Sequence, residues 1–241
     1  MKVLCFPYAG SHINVFAELQ KHLKKIDEEI EVISVEYAGH GRRFSEKPYD
    51  LLHDNVSDLY QQLSGQLNTT EEIIFIGYSM GSIIAYELAK LFESEGYNIT
   101  KLMFMAATPP HRIEVVHENI ESDEDLLRYC KVYGLISEDQ FQSPQMRRLF
   151  LPALRSDIKS IQTYNLFNHF HCHSFDPSIQ VAIFQGSEDR SVSEIDHWDE
   201  LSSGEISKYN YAAAHFFLFE CQQEVITDIT TFILNKKQSL I

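Results

Sequence analysis

The stretch FIGYSMGSIIAYELA, residues 75–89, limits the possible folds more than any other, because its periodicity changes in the middle. Ile73, Ile74, Phe75 and Ile76 form a continuous apolar run, the pattern of a strand buried on both faces. Ile83, Ile84, Glu87, Leu88 and Leu91 then recur at helical spacing. Between the two stand Gly77, Tyr78, Ser79, Met80 and Gly81. A strand that becomes a helix through so tight a turn brings backbone against backbone. Residues without a Cβ on either side of the serine let it pass. The side chain at the apex is then exposed at the carboxyl edge of a sheet, with the free N–H groups of the helix's first turn aimed at it. A serine that only caps the helix is the plainer reading; the strand before and the helix after favour a reactive elbow.

The same alternation runs along the chain. Apolar runs at Val3–Phe6, Val32–Val35, Leu102–Ala106, Ile179–Phe184 and Glu205–Tyr209 read as further strands. Phe16, Leu19 and Leu23 mark one helix, and residues 51–67 another, with Leu52, Val56, Leu59, Leu63 and Leu67 on one face. An amphipathic helix over 218–234 closes the chain. Strands alternating with helices predict an α/β fold: a mostly parallel central sheet with helices on both faces. Residues 109–175 break the alternation. They hold no strand pattern but two helix patterns, one around Leu126, Leu127 and Cys130, the other over 150–166 with Leu151, Leu154, Ile158 and Ile161. They read as a helical insertion within a single domain spanning 1–241. Glu118, Glu121, Asp123, Glu124 and Asp125 read as the acidic start of its first helix.

The 241 residues are 44% hydrophobic, enough for a full core, and carry a formal charge of −15, which argues against a nucleic-acid partner. Cys5, Cys130, Cys172 and Cys221 are scattered without CxxC spacing, so neither a zinc ribbon nor a redox pair is indicated, and reduced thiols of a cytoplasmic protein are expected. No apolar stretch approaches the ~20 residues of a membrane span, and MKVLCFPYAG reads as a first strand rather than a leader. His169, His171 and His173 form an HxHxH tract at the insertion's exit. With no supporting carboxylate, it reads as a strand or loop rather than a metal site.

A serine hydroxyl needs a base to take its proton. On an elbow of this kind the partners follow in the order serine, acid, histidine. His215 lies after the last strand and before the closing helix, preceded by Ala212-Ala213-Ala214 and followed by Phe216-Phe217. The other histidines lack that position. Asp189 follows a strand through Gly186-Ser187-Glu188, with Glu188 its adjacent competitor. The loop one strand earlier, Ala106-Ala107-Thr108-Pro109-Pro110, has no carboxylate. Two backbone donors for an oxyanion are expected, one from Met80 and the other from the loop after the first strand, at Ala9 with Tyr8 as the alternative.

The chain resembles the type II thioesterases of nonribosomal peptide and polyketide biosynthesis, which are stand-alone α/β-hydrolases. The matching motifs span its length: CFPYAGS at 5–11, YAGHGRR at 37–43, GYSMGS at 77–82, LRSDI at 154–158, GSEDR at 186–190 and HFFL at 215–218. Three positions depart from the family pattern. Tyr78 stands where the family has histidine, Ala214 where it has glycine, and Tyr37-Ala38-Gly39-His40 where it commonly reads LPGR. The resemblance implies that 109–175 is a lid. It also implies a substrate acyl or aminoacyl group held as a thioester on the phosphopantetheine arm of a carrier protein. No cofactor or metal is implied, and docking of a monomer is expected to be weak and transient. Arg42, Arg43, Arg147 and Arg148 are the basic residues available to touch the arm's phosphate or the partner; a solvated surface is the plainer fate of each. A carboxylesterase acting on free small esters would use the same residues. A non-catalytic binding protein would have no need to keep Ser79, Asp189 and His215 together.

Overall fold

The apolar runs form six parallel strands: β1 (Lys2–Phe6), β2 (Glu31–Ser34), β3 (Ile73–Tyr78), β4 (Ile99–Met105), β5 (Gln180–Gly186) and β6 (Ile206–Tyr211). They lie in one sheet in the order β2-β1-β3-β4-β5-β6. The structure, a computed structural model, describes residues 1–136, 141–201 and 204–235. Its helices are α1 (Ala17–Ile26), α2 (Leu52–Ser64), α3 (Met80–Ser94), α4 (Asp123–Val132), α5 (Pro144–Gln162), α6 (Tyr164–Asn168), α7 (Phe217–Glu220) and α8 (Gln222–Leu234).

The period of two explains why the strand runs are apolar throughout. Leu4, Phe6, Phe75, Leu102, Phe104 and Ile183 face one side, where α2 and α3 bring Val56, Leu59, Ile84 and Leu88. Val3, Cys5, Ile74, Ile76, Met103 and Phe184 face the other, covered by Leu19 and Leu23 of α1 and by Val225, Ile229 and Ile233 of α8. Both faces of the central strands are thus removed from water, as a parallel sheet requires, while the edge strands β2 and β6 are partly exposed.

Among the described residues, 109–175 contain α4, α5 and α6 and no strand. Positions 137–140 of this segment, like the chain's last six residues, lie outside the described residues. Ile120, Leu126, Leu127, Cys130, Leu151, Leu154 and Ile158 form a separate small cluster of their own. The acidic run is a capped start: Ser122 Oγ accepts from the Asp125 N–H at 3.0 Å, and Asp123, Glu124 and Asp125 occupy the first turn of α4. Glu118 and Glu121 precede that helix.

Three helices differ from the sequence reading, and the one expected over 51–67 is α2, which ends at Ser64 with Leu67 beyond it. The helix expected over 150–166 begins earlier, at Pro144, with Ser143 Oγ accepting from the Gln145 N–H at 3.3 Å; it ends at Gln162, and α6 is a separate turn. The Ser-Pro start is a polar signal that an apolar-stripe count passes over. The closing helix is broken at Cys221 (φ −111, ψ 32) into α7 and α8. The HxHxH tract is loop: His169 and Phe170 take positive φ (52° and 55°), and His173 Nε2 lies 2.7 Å from Glu93 Oε2.

Candidate active site

Ser79 sits between β3 and α3 at φ 55°, ψ −120°, a backbone state that costs a side-chain-bearing residue about 1–3 kcal/mol. Two backbone hydrogen bonds hold it, and the Ser82 side chain ties the strands around it. The Ser79 N–H donates to the Met105 carbonyl at 2.7 Å, and the Ser82 N–H donates to the Ser79 carbonyl at 2.9 Å. Ser82 Oγ accepts from the Met105 N–H at 3.0 Å and lies 2.8 Å from the Gly77 carbonyl, to which its hydroxyl donates. The flanking glycines are dictated by close approach. A Cβ on Gly77 would lie 2.4 Å from the Gly81 carbonyl oxygen, and one on Gly81 would lie 2.0 Å from that of Phe6. The contact at Gly81 also brings the exit of β1 against the first turn of α3.

His215 follows β6 and precedes α7. Its ring is buried, with Nε2 3.1 Å from Ser79 Oγ and Nδ1 2.7 Å from Asp189 Oδ2. The loop carrying it is fastened at several points. Phe217 is fully buried and stacks on Tyr211 at 5.0 Å. Gly186 admits the loop, since a Cβ there would lie 2.4 Å from the carbonyl oxygens of Ala213 and Ala214. The Tyr78 hydroxyl donates to the His215 carbonyl.

Asp189 is buried in the turn after β5, whereas Glu188 is exposed, with its backbone N–H donating to the Ala213 carbonyl at 3.0 Å. Burial alone would raise the Asp189 carboxyl. The His215 hydrogen bond and charge, with the Ser191 hydroxyl (2.6 Å) and N–H (2.9 Å), outweigh it and hold the carboxyl below the usual range. An ionised Asp189 can only accept, so the neutral tautomer of His215 that this geometry favours has its proton at Nδ1 and its Nε2 lone pair toward Ser79. Ser191 was not foreseen from the sequence: its Oγ also lies 3.0 Å from His215 Nδ1. Its signal was a short polar residue two positions past the acid, where a turn is closed by side chain to backbone.

Ser79, Met80 and His215 line a cavity of about 460 Å³. Its far wall comes from the insertion, through Ile113, Val116, Tyr129, Leu135, Ile158 and Ile161. The Met80 amide belongs to the first turn of α3, whose N–H groups have no acceptor within the helix. Ala9 does not line this cavity. With Tyr8 and Gly10 it borders a smaller one of about 200 Å³ next to it. The Gly10 and Ser11 N–H groups are already engaged, with Asp157 Oδ2 at 2.7 Å and the Tyr8 carbonyl at 3.2 Å. Arg42 pairs with Glu36, Arg43 with Glu46 and Asp58, and Arg147 with Glu124.

A family model described as the thioesterase domain matches residues 1–233. The chain belongs to the thioesterase domain family. It is thus a hydrolase acting on thioesters. The gramicidin S biosynthesis protein GrsT of Aneurinibacillus migulanus is 26% identical to this thioesterase over 232 residues, covering 94% of this chain and 86% of GrsT. The medium-chain S-acyl fatty acid synthase thioesterase of Rattus norvegicus is 28% identical over 234 residues, covering 92% and 83%. Among solved structures, the type II thioesterase BorB from the borrelidin biosynthetic cluster superposes with a TM-score of 0.81 at 24% identity, covering 95% of this chain and 91% of BorB. RedJ from the prodiginine pathway of Streptomyces coelicolor gives 0.80 at 24% identity, covering 96% and 89%. The thioesterase shares their α/β-hydrolase fold. Among the described residues, no helix is long and apolar enough to cross a membrane.

Proposed function

We propose that this thioesterase clears stalled or aberrant acyl and aminoacyl groups from the phosphopantetheine arms of carrier proteins in a nonribosomal peptide or polyketide pathway. Ser79 is the nucleophile, His215 the base and Asp189 the acid. The observation that carries this reading is the continuous relay from Asp189 Oδ2 through both nitrogens of His215 to Ser79 Oγ, opening on the cavity beneath the insertion. The names of relatives such as GrsT and of neighbours such as BorB support the pathway.

In the first half-reaction His215 Nε2 takes the Ser79 proton as Oγ bonds to the thioester carbonyl carbon. The oxyanion is met by the Met80 N–H and by a second donor from the loop after β1, Ala9, with Tyr8 the alternative. Collapse breaks the C–S bond, and the imidazolium returns its proton to the departing thiolate. Water then enters, His215 takes its proton, and the tetrahedral adduct releases the acid and restores Ser79. Asp189 holds the imidazole in the required tautomer and stabilises its charged form throughout. No step calls for a metal or cofactor. In this reading 109–175 is a lid, and the protein is a cytoplasmic monomer that docks its carrier transiently.

The test presents one acyl group on three supports: a holo carrier protein, a truncated thiol and an oxygen ester. Docking and arm binding worth ~2–3 kcal/mol would raise kcat/KM for the carrier roughly 30- to 150-fold over the truncated thiol. Equal values for those two would remove carrier recognition, and preference for the oxygen ester would make the enzyme a carboxylesterase. Ser79→Ala should lower kcat on the order of 10⁶-fold with the fold intact. Near-normal turnover by that variant would refute the nucleophile.

A further inference from the structure

The loop between β1 and α1 carries Tyr8 and Ala9, and the next residue is tied to the insertion. Gly10 takes φ 72°, and a Cβ there would lie 2.9 Å from Leu154 Cδ1 of α5. Its N–H donates to Asp157 Oδ2, also on α5, at 2.7 Å. The same oxygen lies 2.9 Å from Nε2 of His40, in the segment after β2, and His40 Nδ1 lies 3.0 Å from the Ala38 carbonyl. The His40 and Asp157 side chains are each only 2% exposed. The two nitrogens of His40 face a carbonyl and a carboxylate; with Asp157 ionised both oxygens only accept, and both nitrogens would carry protons as an imidazolium.

The surroundings support that charge state. Burial lowers His40, but the charge and hydrogen bond of Asp157 and the Ala38 carbonyl outweigh it and raise it above its ordinary value. The other groups facing it are His12, Tyr37 and Arg43. His12, from the β1–α1 loop, stacks on it at 4.9 Å and is pushed down to about 4 by desolvation and then by the His40 charge, so it stays neutral. Tyr37 lies edge-on at 5.7 Å and donates its hydroxyl proton to the Pro7 carbonyl at 2.8 Å. Arg43 opposes the charge on His40.

We propose that Asp157 is a positioning residue: with His40 it clamps the loop bearing Ala9 and Tyr8 to α5, so the second oxyanion donor is in place only while the insertion is seated. This rests on the reading of Ser79 as nucleophile and of that loop as an oxyanion donor. A neutral His40 leaves one acceptor facing a bare nitrogen. Because His40 is raised in the folded chain, the clamp is complete below the ordinary histidine value of 6.5 and is lost as pH rises through the raised one.

The experiment measures kcat and KM with an acyl thioester of a small soluble thiol for wild type, Asp157→Ala and Asp157→Asn, across pH. Asp157→Ala should lower kcat about 10- to 100-fold with KM within about 2-fold, because the lost alignment is felt at the developing oxyanion. With its amide oxygen at the Oδ2 site, Asp157→Asn keeps the acceptor shared by the Gly10 N–H and His40 Nε2–H but not the charge that favours the imidazolium. It should recover to within about 10-fold of wild type below pH 6.5, with the alkaline fall in kcat moved to lower pH. In wild type, ring ¹⁵N shifts should show His40 doubly protonated at neutral pH, a measurement that needs no variant to fold. A raised KM with unchanged kcat would reduce Asp157 to packing of the insertion and overturn the proposal, as would a neutral His40. If Asp157→Ala kept full kcat while Ser79→Ala was inactive, the clamp would fall and the nucleophile would stand. Turnover by Ser79→Ala would instead overturn the reading on which the clamp rests.

Discussion

Tyr78→Phe removes one oxygen atom and tests how the histidine loop is held. Tyr78 is fully buried, with its ring edge-on to Tyr8 at 5.9 Å and to His215 at 6.1 Å and 5.5 Å from Phe217, so the aromatic packing survives the change. The hydroxyl's bond to the His215 carbonyl is lost. A buried acceptor left without its donor costs about 1–3 kcal/mol, and the void left by one oxygen adds only a few tenths. For a chain of this size that is a fall in Tm of roughly 2–12 °C. Freed at its carbonyl, His215 should sample positions in which Nε2 no longer meets Ser79 Oγ. The expected loss in kcat is on the order of 10-fold, with KM little changed. Thermal melting and steady-state hydrolysis of an acyl thioester of a small thiol measure the two effects. If the melting temperature and kcat both stayed at wild-type values, the hydroxyl would not be fastening the loop and the argument would be refuted.

Asp189→Asn should cost about 10⁴ in kcat, because an amide favours the wrong tautomer of His215, while Glu188→Gln, at an exposed position, should cost little; kinetics of both variants decide, and reversed effects would transfer the acid to Glu188. The carboxyl of Asp189 is held below its ordinary value of 3.8, so its contribution to stability is complete above that pH and is lost as pH falls through the depressed value; in acid denaturation the stability difference between wild type and Asp189→Asn should stay constant above 3.8 and change only in that window. Gly81→Ala forces a methyl into backbone at 2.0 Å from the Phe6 carbonyl oxygen, and should cost about 1–3 kcal/mol or more in denaturant unfolding and depress kcat by displacing the β1 exit. Among the described residues of 109–175, α4 and the middle of α5 pack on a small cluster of their own, so their amides should exchange faster than those of 73–76 and 181–184; equal protection would argue for a fixed cap.

Elements came through from the sequence where their signal is local. The run Ile73–Ile76, the glycines at 77 and 81 and the stripe from Ile83 to Leu91 announce strand, elbow and helix without reference to the rest of the chain. His215 and Asp189 were legible for the same reason: each lies just past a recognisable strand, where an α/β sheet gathers its loops at one edge. The helix ends at Gln162 and Cys221 were not, because the apolar stripes continue across both breaks and only packing decides where the backbone turns aside.

By itself the sequence determined the alternation of strands and helices, the strained serine and the order of its partners, since periodicity and turn chemistry act over a few residues. Tertiary structure alone decided the order of strands in the sheet, the tie from Tyr78 to the His215 backbone, and the meeting of Gly10, His40 and Asp157. Gly10 and His40 stand 147 and 117 positions from Asp157. A buried histidine and a buried aspartate look like surface residues until the fold removes water from both. Only then does each need the other, and the loop beside the serine has a fixed place.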